Sequence, residues 1–376
     1  MKVRLSLVIV LALCLYSREC RAQVGSGLFH VSDRNASFLD VKQRREDLHQ
    51  ASTPRLLEAL QATRSCLSTP PVEAPHGKIE IPRRYVSGGH GKVNPRESEL
   101  SQPYYRIQAL AANGANSFLI GGDHNESECV IDALDRWAAA GALMDYDANA
   151  DSQAWDQVGW TIASLSLSVS VIESDSGLDE IKKKDVVHWL RRACIKLISE
   201  KKSHGESRGN ENNLSYWRGL AAAATGVIAS DDNLFTWGIA QYQRSIGQLA
   251  EDGSWPLEME RKELAIHYQS FALEPLIMIA ELASRQGIDL YAYSSHGRTL
   301  SSAVMFVASA MANPDVAVKH AGAEQKIDID APDFLSWLEF WNRRFGPGGL
   351  GRYLGHPWFA ARLAGSSTLY AAPVRS

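Results

Sequence analysis

The sequence predicts an all-α fold. Apolar residues recur at helical spacing in seven separate segments. Strand signals are scarce, and only residues 78–85 show some β character. A succession of helices without alternating strands is typical of all-α domains. The chain has no repeat of sharp period, so the sequence does not indicate a regular solenoid.

The predicted helices follow one another from Cys129 onwards. In the first of them, Ile131, Leu134 and Trp137 fall on one face. The loops between the helices hold Asp, Asn, Gly and Ser, which mark helix ends. The predicted helices span residues 129–143, 156–171, 186–198, 217–228, 234–249, 266–285 and 299–311.

The first 22 residues have the layout of a secretory signal peptide. Lys2 and Arg4 precede an apolar run of about a dozen residues, and Ala22 is a small residue suited to cleavage. We therefore expect a periplasmic protein of one domain, residues 23–376. No later segment predicts stable membrane insertion.

The mature chain is expected to be mildly acidic. Removal of residues 1–22 takes away four basic residues and one acidic residue, which changes the formal net charge from −4 to about −7. This balance argues against a nucleic-acid partner. An anionic substrate would need positive charge concentrated locally.

Three cysteines remain after cleavage. Cys194 falls on the apolar face of the predicted helix 186–198, which indicates burial. Cys66 and Cys129 are then the candidate pair for a disulfide in an oxidising compartment.

Two glycine-rich loops carry basic residues. The first, residues 83–96, includes Arg84 and the run Gly88–Lys92; it is either a mobile lid or a flexible insertion. The second, residues 345–355, holds five glycines and is either a cap on the helical body or a disordered tail.

Several chemistries lack their sequence motifs. Cysteine and histidine do not occur at zinc-binding spacing. The chain has no Walker A run, no strand-linked Gly-x-Gly-x-x-Gly and no Gly-x-Ser-x-Gly nucleophile elbow. Two stretches stand out instead, residues 212–219 and 261–269.

The first stretch begins with Asn212 and Asn213, which either cap a helix or place an amide in a cleft. In the second, Arg261 and Tyr268 are seven residues apart, so in a helix both would project from one face. The alternatives are a surface ion pair of Arg261 with a nearby glutamate, Glu258 or Glu263, and a core position for Tyr268.

These stretches resemble the alginate lyases of polysaccharide lyase family 5. The family pattern Asn-Asn-His-Ser-Tyr-Trp matches residues 212–217 at all positions but one, and the family's Arg and Tyr match Arg261 and Tyr268. Residues 128–129, 137–143, 271–280 and 337–339 are also similar. The similarity extends from about Cys66 to Phe345.

The resemblance implies an incomplete (α/α) toroid with a deep cleft and a lid loop at about residues 83–96. It also implies a disulfide between Cys66 and Cys129, no metal or organic cofactor, and an anionic polysaccharide as partner. We further expect a monomer. The residues expected to contact the substrate, besides the catalytic Asn213, Arg261 and Tyr268, are Arg84, Tyr85, Tyr216, Trp217 and His267.

The implied reaction is β-elimination in a 1,4-linked polyuronate, in first place polymannuronate. Asn213 and Arg261 suit the neutralisation of the uronate carboxylate, because one is an amide donor and the other a permanent cation. Tyr268 suits proton transfer from C5 to the leaving O4. We expect Arg261 to lower the pKa of this phenol by stabilising the phenolate.

Leu214 stands where the family has histidine. Leucine neither neutralises a carboxylate nor accepts a proton. In the family, Tyr alone serves when proton and leaving group lie on the same face, as in mannuronate. We therefore expect cleavage of mannuronate-like or glucuronate-like units to persist and cleavage of guluronate to be lost. His204 and His267 are the candidates for compensation, although His267 should point elsewhere on its helix.

Two other classes of protein compete with the lyase. Leu214 favours a degenerate relative that binds polyuronate without cutting it. An inverting hydrolase would need two carboxylates about 6.5–9.5 Å apart. Asp151, Asp156 and Glu258 are the candidates for such a pair.

Overall fold

The computed structural model describes residues 27–86, 88–150, 153–200, 211–331 and 333–375. The predicted signal peptide, Asp151 and His204 lie outside these ranges. The helices are α1 (Val41–Leu48), α2 (Pro54–Ala62), α3 (Pro95–Gly121), α4 (His124–Ala139), α5 (Ala154–Ile172), α6 (Glu180–Ser199), α7 (Asn213–Ala229), α8 (Asp232–Gly247), α9 (Pro256–Met259), α10 (Ala265–Arg285), α11 (Leu300–Ala312), α12 (Asp315–Ala321), α13 (Leu338–Phe345) and α14 (Ser367–Ala371).

The helices form an incomplete (α/α) toroid, as predicted. The ring consists of four pairs of consecutive helices that contact each other: α3 with α4, α5 with α6, α7 with α8, and α10 with α11. The first members of the pairs contact one another in the order α3, α5, α7, α10 and form the inner layer. Helices α4, α6 and α8 pack outside them.

The inner helices are apolar around almost their whole circumference. Neighbouring helices bury them on almost every side. Every residue of α5 is buried, and most of α7 and α10 are buried as well. A helix without a polar face belongs in the interior of a large protein. Most buried hydroxyls of α5 are hydrogen-bonded locally or across the ring; those of Ser166 and Thr225, for example, are 2.8 Å apart, whereas that of Ser168 has no partner among the described residues.

All seven predicted helices are present, with ends shifted by at most six residues. Residues 78–85, which show some β character in the sequence, form no strand within the described ranges; Tyr85 makes an isolated bridge to Val93. Side chains of Asp179, Asn212 and Asp231 cap α6, α7 and α8 by accepting backbone N–H bonds.

The cysteine predictions are confirmed. Cys66 and Cys129 form a disulfide with a Cα–Cα distance of 6.1 Å, and Cys194 is free and buried. The bridge ties the segment before α3 to α4. Among the described residues, no helix is both long and apolar enough to cross a membrane.

The second glycine-rich loop is an ordered cap. Leu350 is fully buried, and the Arg352 guanidinium donates to the carbonyl of Met311 in the last turn of α11. The chain then returns through the 3-10 turn Ala361–Leu363, which contacts α3, α5 and α10. This return brings Arg362 to the inside of the ring.

Helices α7 and α8 approach so closely that glycine is required at their contact. A Cβ atom on Gly238 would lie 2.6 Å from the carbonyl oxygen of Gly219 and 2.7 Å from the backbone nitrogen of Ala223. We expect Gly238→Ala to lower the free energy of unfolding by about 3 kcal/mol, because two backbones must separate. Urea unfolding measures the change.

Gly247→Ala, in the same helix, is the matched control. Its added methyl would meet only the Ser295 hydroxyl, at 3.6 Å, so we expect stability to be unchanged or raised by about 0.5–1 kcal/mol. Equal stabilities of the two variants would contradict this account of the α7–α8 contact.

Candidate active site

A cavity of about 910 Å³ opens at the inner layer of the ring. Its walls come from the first glycine-rich loop, α5, the start of α7, the segment before α10, and α10 itself. The charged residues that line it include four arginines, with carboxylates among them: Arg83, Arg84, Arg261, Arg362, Asp156, Glu260, Glu274, Asp328 and Asp333. Four arginines therefore line one cavity in a chain that is acidic as a whole, but five carboxylates line it as well, so the cavity has no formal excess of positive charge.

The structure brings Arg261 and Tyr268 together, although not by the predicted helix. Arg261 precedes the 3-10 turn Lys262–Leu264, and α10 begins only at Ala265. The backbone turns at Lys262, whose φ is +55°. The Arg261 guanidinium carbon lies 4.3 Å from the centre of the Tyr268 ring, which is cation–π geometry.

The loop 83–96, hereafter the lid loop, contacts both of these residues. The Tyr268 hydroxyl donates to the Tyr85 hydroxyl at 2.9 Å, and Arg261 Nη1 donates to the carbonyl of Gly89 at 2.9 Å. His90 lies 3.3 Å from the Glu263 carboxylate. The loop therefore covers the cavity in the way expected of a lid.

Asn213 is close to Arg261 but does not line the cavity. It is fully buried, and both its backbone N–H and its Nδ2 donate to the Glu258 carboxylate, at 2.8 and 2.6 Å. Glu258 in turn lies 4.0 Å from Arg261 Nε. The expected direct contact of Asn213 with a carboxylate is thus corrected: Asn212 and Leu214 line the cavity, and Asn213 lies behind them.

Tyr216 and Trp217 are core residues, and their predicted contact with substrate is also corrected. Each is about 1% exposed, and neither lines the cavity. The Tyr216 hydroxyl donates to Gln248 at 2.7 Å. The Trp217 ring packs 5.0 Å from Phe271, which does line the cavity, so Trp217 supports the wall from behind.

The structure brings the other expected residues to the cavity. His267 lines it, contrary to the expectation that it would point elsewhere, and its ring is nearly parallel to Phe271 and Phe334 at 6.3 and 6.1 Å. Burial lowers the pKa of His267, which favours the neutral imidazole. Arg84 and Tyr85 line the cavity from the lid loop.

The net pKa shift of Tyr268 is opposite to the expected one. Burial raises the pKa of this phenol above its usual value, and the nearby charge of Arg261 opposes that effect without overcoming it. Burial likewise raises the pKa of Glu258, against the lowering effect of Arg261 and of the Asn213 hydrogen bonds. With the lid loop in this position, Tyr268 is a neutral phenol.

Arg362 is the main cavity residue that sequence reasoning missed. Its guanidinium carbon lies 4.7 Å from the Trp160 ring centre, 5.5 Å from Phe271 and 5.9 Å from Tyr105. Nothing in the sequence around Arg362 indicates a site, because the return of the chain after α13 places it here. Trp160 was predicted as part of a helix only.

The fold and the cleft together define the molecule as a helical toroid with an arginine-lined cleft between its inner helices. The family model described as alginate lyase matches residues 55–317. The chain belongs to the alginate lyase family.

Relatives and solved structures agree with this assignment. A polysaccharide lyase of Stenotrophomonas maltophilia K279a is 28% identical over 332 residues, 86% of this chain and 96% of that protein. An alginate lyase of Pseudomonas entomophila L48 is 27% identical over 230 residues, 60% of this chain and 61% of that protein.

Among solved structures, a tyrosine-to-phenylalanine variant of alginate lyase A1-III complexed with a tetrasaccharide superposes with a TM-score of 0.87 and is 38% identical, covering 92% of this chain and 98% of that one. Alginate lyase A1-III from Sphingomonas species A1 gives 0.82 and 39%, covering 91% and 97%.

Proposed function

We propose that the protein cleaves a 1,4-linked polyuronate, in first place polymannuronate, by β-elimination and leaves a 4,5-unsaturated uronate at the new non-reducing end. The observation that carries this proposal is the Arg261 guanidinium against the ring of Tyr268 in the cavity. The tetrasaccharide complex of alginate lyase A1-III supports an oligosaccharide as the occupant.

In this mechanism Arg261 exchanges the carbonyl of Gly89 for the carboxylate of the reacting sugar. Neutralising that carboxylate makes the C5 proton more acidic, because negative charge builds there in the transition state. When the lid loop opens, water reaches Tyr268 and its hydrogen bond to Tyr85 is lost, so the phenolate, stabilised by Arg261 and Arg84, forms and then takes the C5 proton. The electron pair forms the C4=C5 bond, the C4–O4 bond breaks, and the phenol returns the proton to O4.

Asn213 acts from behind the cavity surface. Its two hydrogen bonds hold the Glu258 carboxylate in place, and Glu258 faces Arg261. Asn213 and Glu258 together therefore keep the Arg261 guanidinium oriented. Its other nitrogen atoms are then free to exchange the carbonyl of Gly89 for the carboxylate of the sugar. We also propose that the protein acts in the periplasm; the Cys66–Cys129 disulfide supports this, since such bonds persist in oxidising compartments.

A substrate panel tests the proposed function. Polymannuronate, polyguluronate, polyglucuronate and hyaluronate are each incubated with the protein, and the ultraviolet absorbance of the unsaturated uronate is followed. We expect the largest rate on polymannuronate. New reducing ends without new absorbance would indicate hydrolysis instead.

A polyuronate-binding protein without activity is the second candidate, because the apolar Leu214 lines the cavity where the family has a base. Binding without new absorbance would favour it. The hydrolase is less well supported, since Asp156 is paired with Arg218 at 3.0 Å and Glu258 is held by Asn213.

Leu214→His should give the protein activity on polyguluronate. The imidazole would supply a base on the face opposite Tyr268, and general base catalysis contributes about 10²-fold or more. We expect turnover of polyguluronate to rise by about that factor, while turnover of polymannuronate changes less than about 10-fold. Absorbance assays on the two polymers measure both rates.

Leu214→Gln is the control for this substitution, since glutamine is polar and of similar size but is not a base. It should leave polyguluronate uncut. Comparable turnover of both polymers by the unsubstituted protein would contradict the role assigned to position 214.

A further inference from the structure

Glu274 is a buried carboxyl group that the proposed mechanism does not use. It lies on α10, six residues after Tyr268, and lines the same cavity while being only 2% exposed. Its Oε2 atom has no hydrogen-bond partner among the described residues. Buried polar atoms are nearly always paired in native proteins, so an unpaired one at a cavity wall indicates a place for a ligand group.

Two neighbouring cavity residues share this property. Trp160 Nε1 and Arg362 Nε are also buried and lack partners among the described residues. The Arg362 guanidinium lies 4.7 Å from the Trp160 ring centre, and its charge acts on Glu274. Both unpaired nitrogen atoms carry a hydrogen, so this part of the cavity offers two donors and a carboxyl group.

Burial and the neighbouring charges determine whether the carboxyl group of Glu274 is protonated. Burial is the largest effect, Asp333 adds like charge, and Arg362 opposes both; the pKa of Glu274 is raised well above its usual value. His267 and Asp328 also line the cavity. A protonated glutamic acid donates a hydrogen bond, whereas an ionised one would repel an anion.

We propose that Glu274, Trp160 and Arg362 form a second carboxylate-binding subsite, in which Glu274 serves as an un-ionised hydrogen-bond donor. Three donors around one pocket suit the carboxylate of a uronate unit other than the one held at Arg261. The inference rests on the proposed function, because it takes a polyuronate as the ligand. It assigns Glu274 to substrate affinity and leaves proton transfer to Tyr268.

The subsite makes substrate affinity depend on pH in a defined direction. A bound carboxylate requires the protonated carboxyl, so affinity is full below the pKa of Glu274 and is lost as pH rises through it. Above that pKa, KM for polymannuronate should increase by about tenfold per pH unit, while kcat does not follow the same curve.

Glu274→Gln is the decisive variant, because glutamine keeps an N–H donor and cannot ionise. We expect its KM to lie within about threefold of the unsubstituted value at neutral pH and to lose the alkaline rise. Glu281→Gln is the matched control: Glu281 is buried on the same helix but bonds Tyr291 and Arg343 and does not line the cavity. The control should keep the alkaline rise.

A binding measurement tests the subsite without catalysis. Tyr268→Phe protein is titrated calorimetrically at alkaline pH with a saturated mannuronate tetrasaccharide, in two buffers of different protonation enthalpy. We expect the Tyr268→Phe protein to take up protons when the tetrasaccharide binds. The double variant Tyr268→Phe/Glu274→Gln should take up none. Equal proton uptake with and without Glu274→Gln, or an unchanged alkaline rise in KM, would overturn the subsite.

The two proposals fail separately. If the unsubstituted protein yields no unsaturated product from any polyuronate, the proposed lyase function is wrong, yet Glu274-dependent proton uptake would still establish the subsite. If product forms and Glu274→Gln changes neither measurement, the function stands and the subsite is wrong.

Discussion

Tyr268→Phe should lower kcat on polymannuronate by about 10³–10⁴-fold while tetrasaccharide affinity stays within a few-fold. The substitution removes only the hydroxyl that accepts and returns the proton, and general acid–base groups contribute about 10²–10⁴-fold. The ring remains beneath Arg261, so the cation–π contact and the packing of α10 are kept. Ultraviolet absorbance gives the rate, and calorimetry gives the affinity.

Tyr216→Phe is the matched control for the loss of a buried phenol hydroxyl. Its hydroxyl bonds Gln248 in the core, so we expect a lower melting temperature and an unchanged kcat. A Tyr268→Phe protein that retains more than about a tenth of the activity would show that another group moves the proton.

Arg261→Met should reduce kcat/KM by about 10²–10³-fold, the usual effect of removing one group that stabilises developing negative charge. The methionine retains an apolar stem beside Tyr268 but offers nothing to the uronate carboxylate. The loss should appear in both kcat and KM, because the guanidinium meets the carboxylate in the bound substrate and in the transition state. Initial rates measured over a range of polymannuronate concentrations give kcat and KM separately.

Lys262→Gln removes the adjacent positive charge and serves as the control. Lys262 is exposed and does not line the cavity, so we expect kcat/KM to remain within about twofold. If Arg261→Met and Lys262→Gln weakened catalysis equally, the effect would come from the general electrostatic field of the cleft.

The helices that the sequence predicts best are the inner ones with long apolar runs, such as α5 and α10. The sequence pattern does not delimit helix α3, because small or polar residues occupy eight of the thirteen positions that it buries. Gly114 is one of them: a Cβ atom there would lie 2.3 Å from Val130. Asn116 is another, and its side chain bonds the backbone of Ala364 and Ser366. Only the tertiary contacts explain why glycine and asparagine occupy positions 114 and 116.

The site was predictable where two residues lie close in sequence and were matched to a family pattern, as for Arg261 and Tyr268. How deeply each residue of the site is buried could not be predicted in the same way. Tyr216 and Trp217 lie only three and four residues after Asn213, yet the direction of α7 buries all three. Arg362 was missed because its position depends on the path of the last 30 residues or so, which no local pattern records.

The disulfide has a consequence for the lid loop. Cys66 precedes the loop and Cys129 follows it, so the whole loop lies within one covalently closed ring. Exposed glycine-rich loops are preferred sites of proteolytic nicking. A single cut between Gly88 and Lys92 would therefore leave both new ends attached to the same molecule. The two fragments would part only when a reductant and the protease act together.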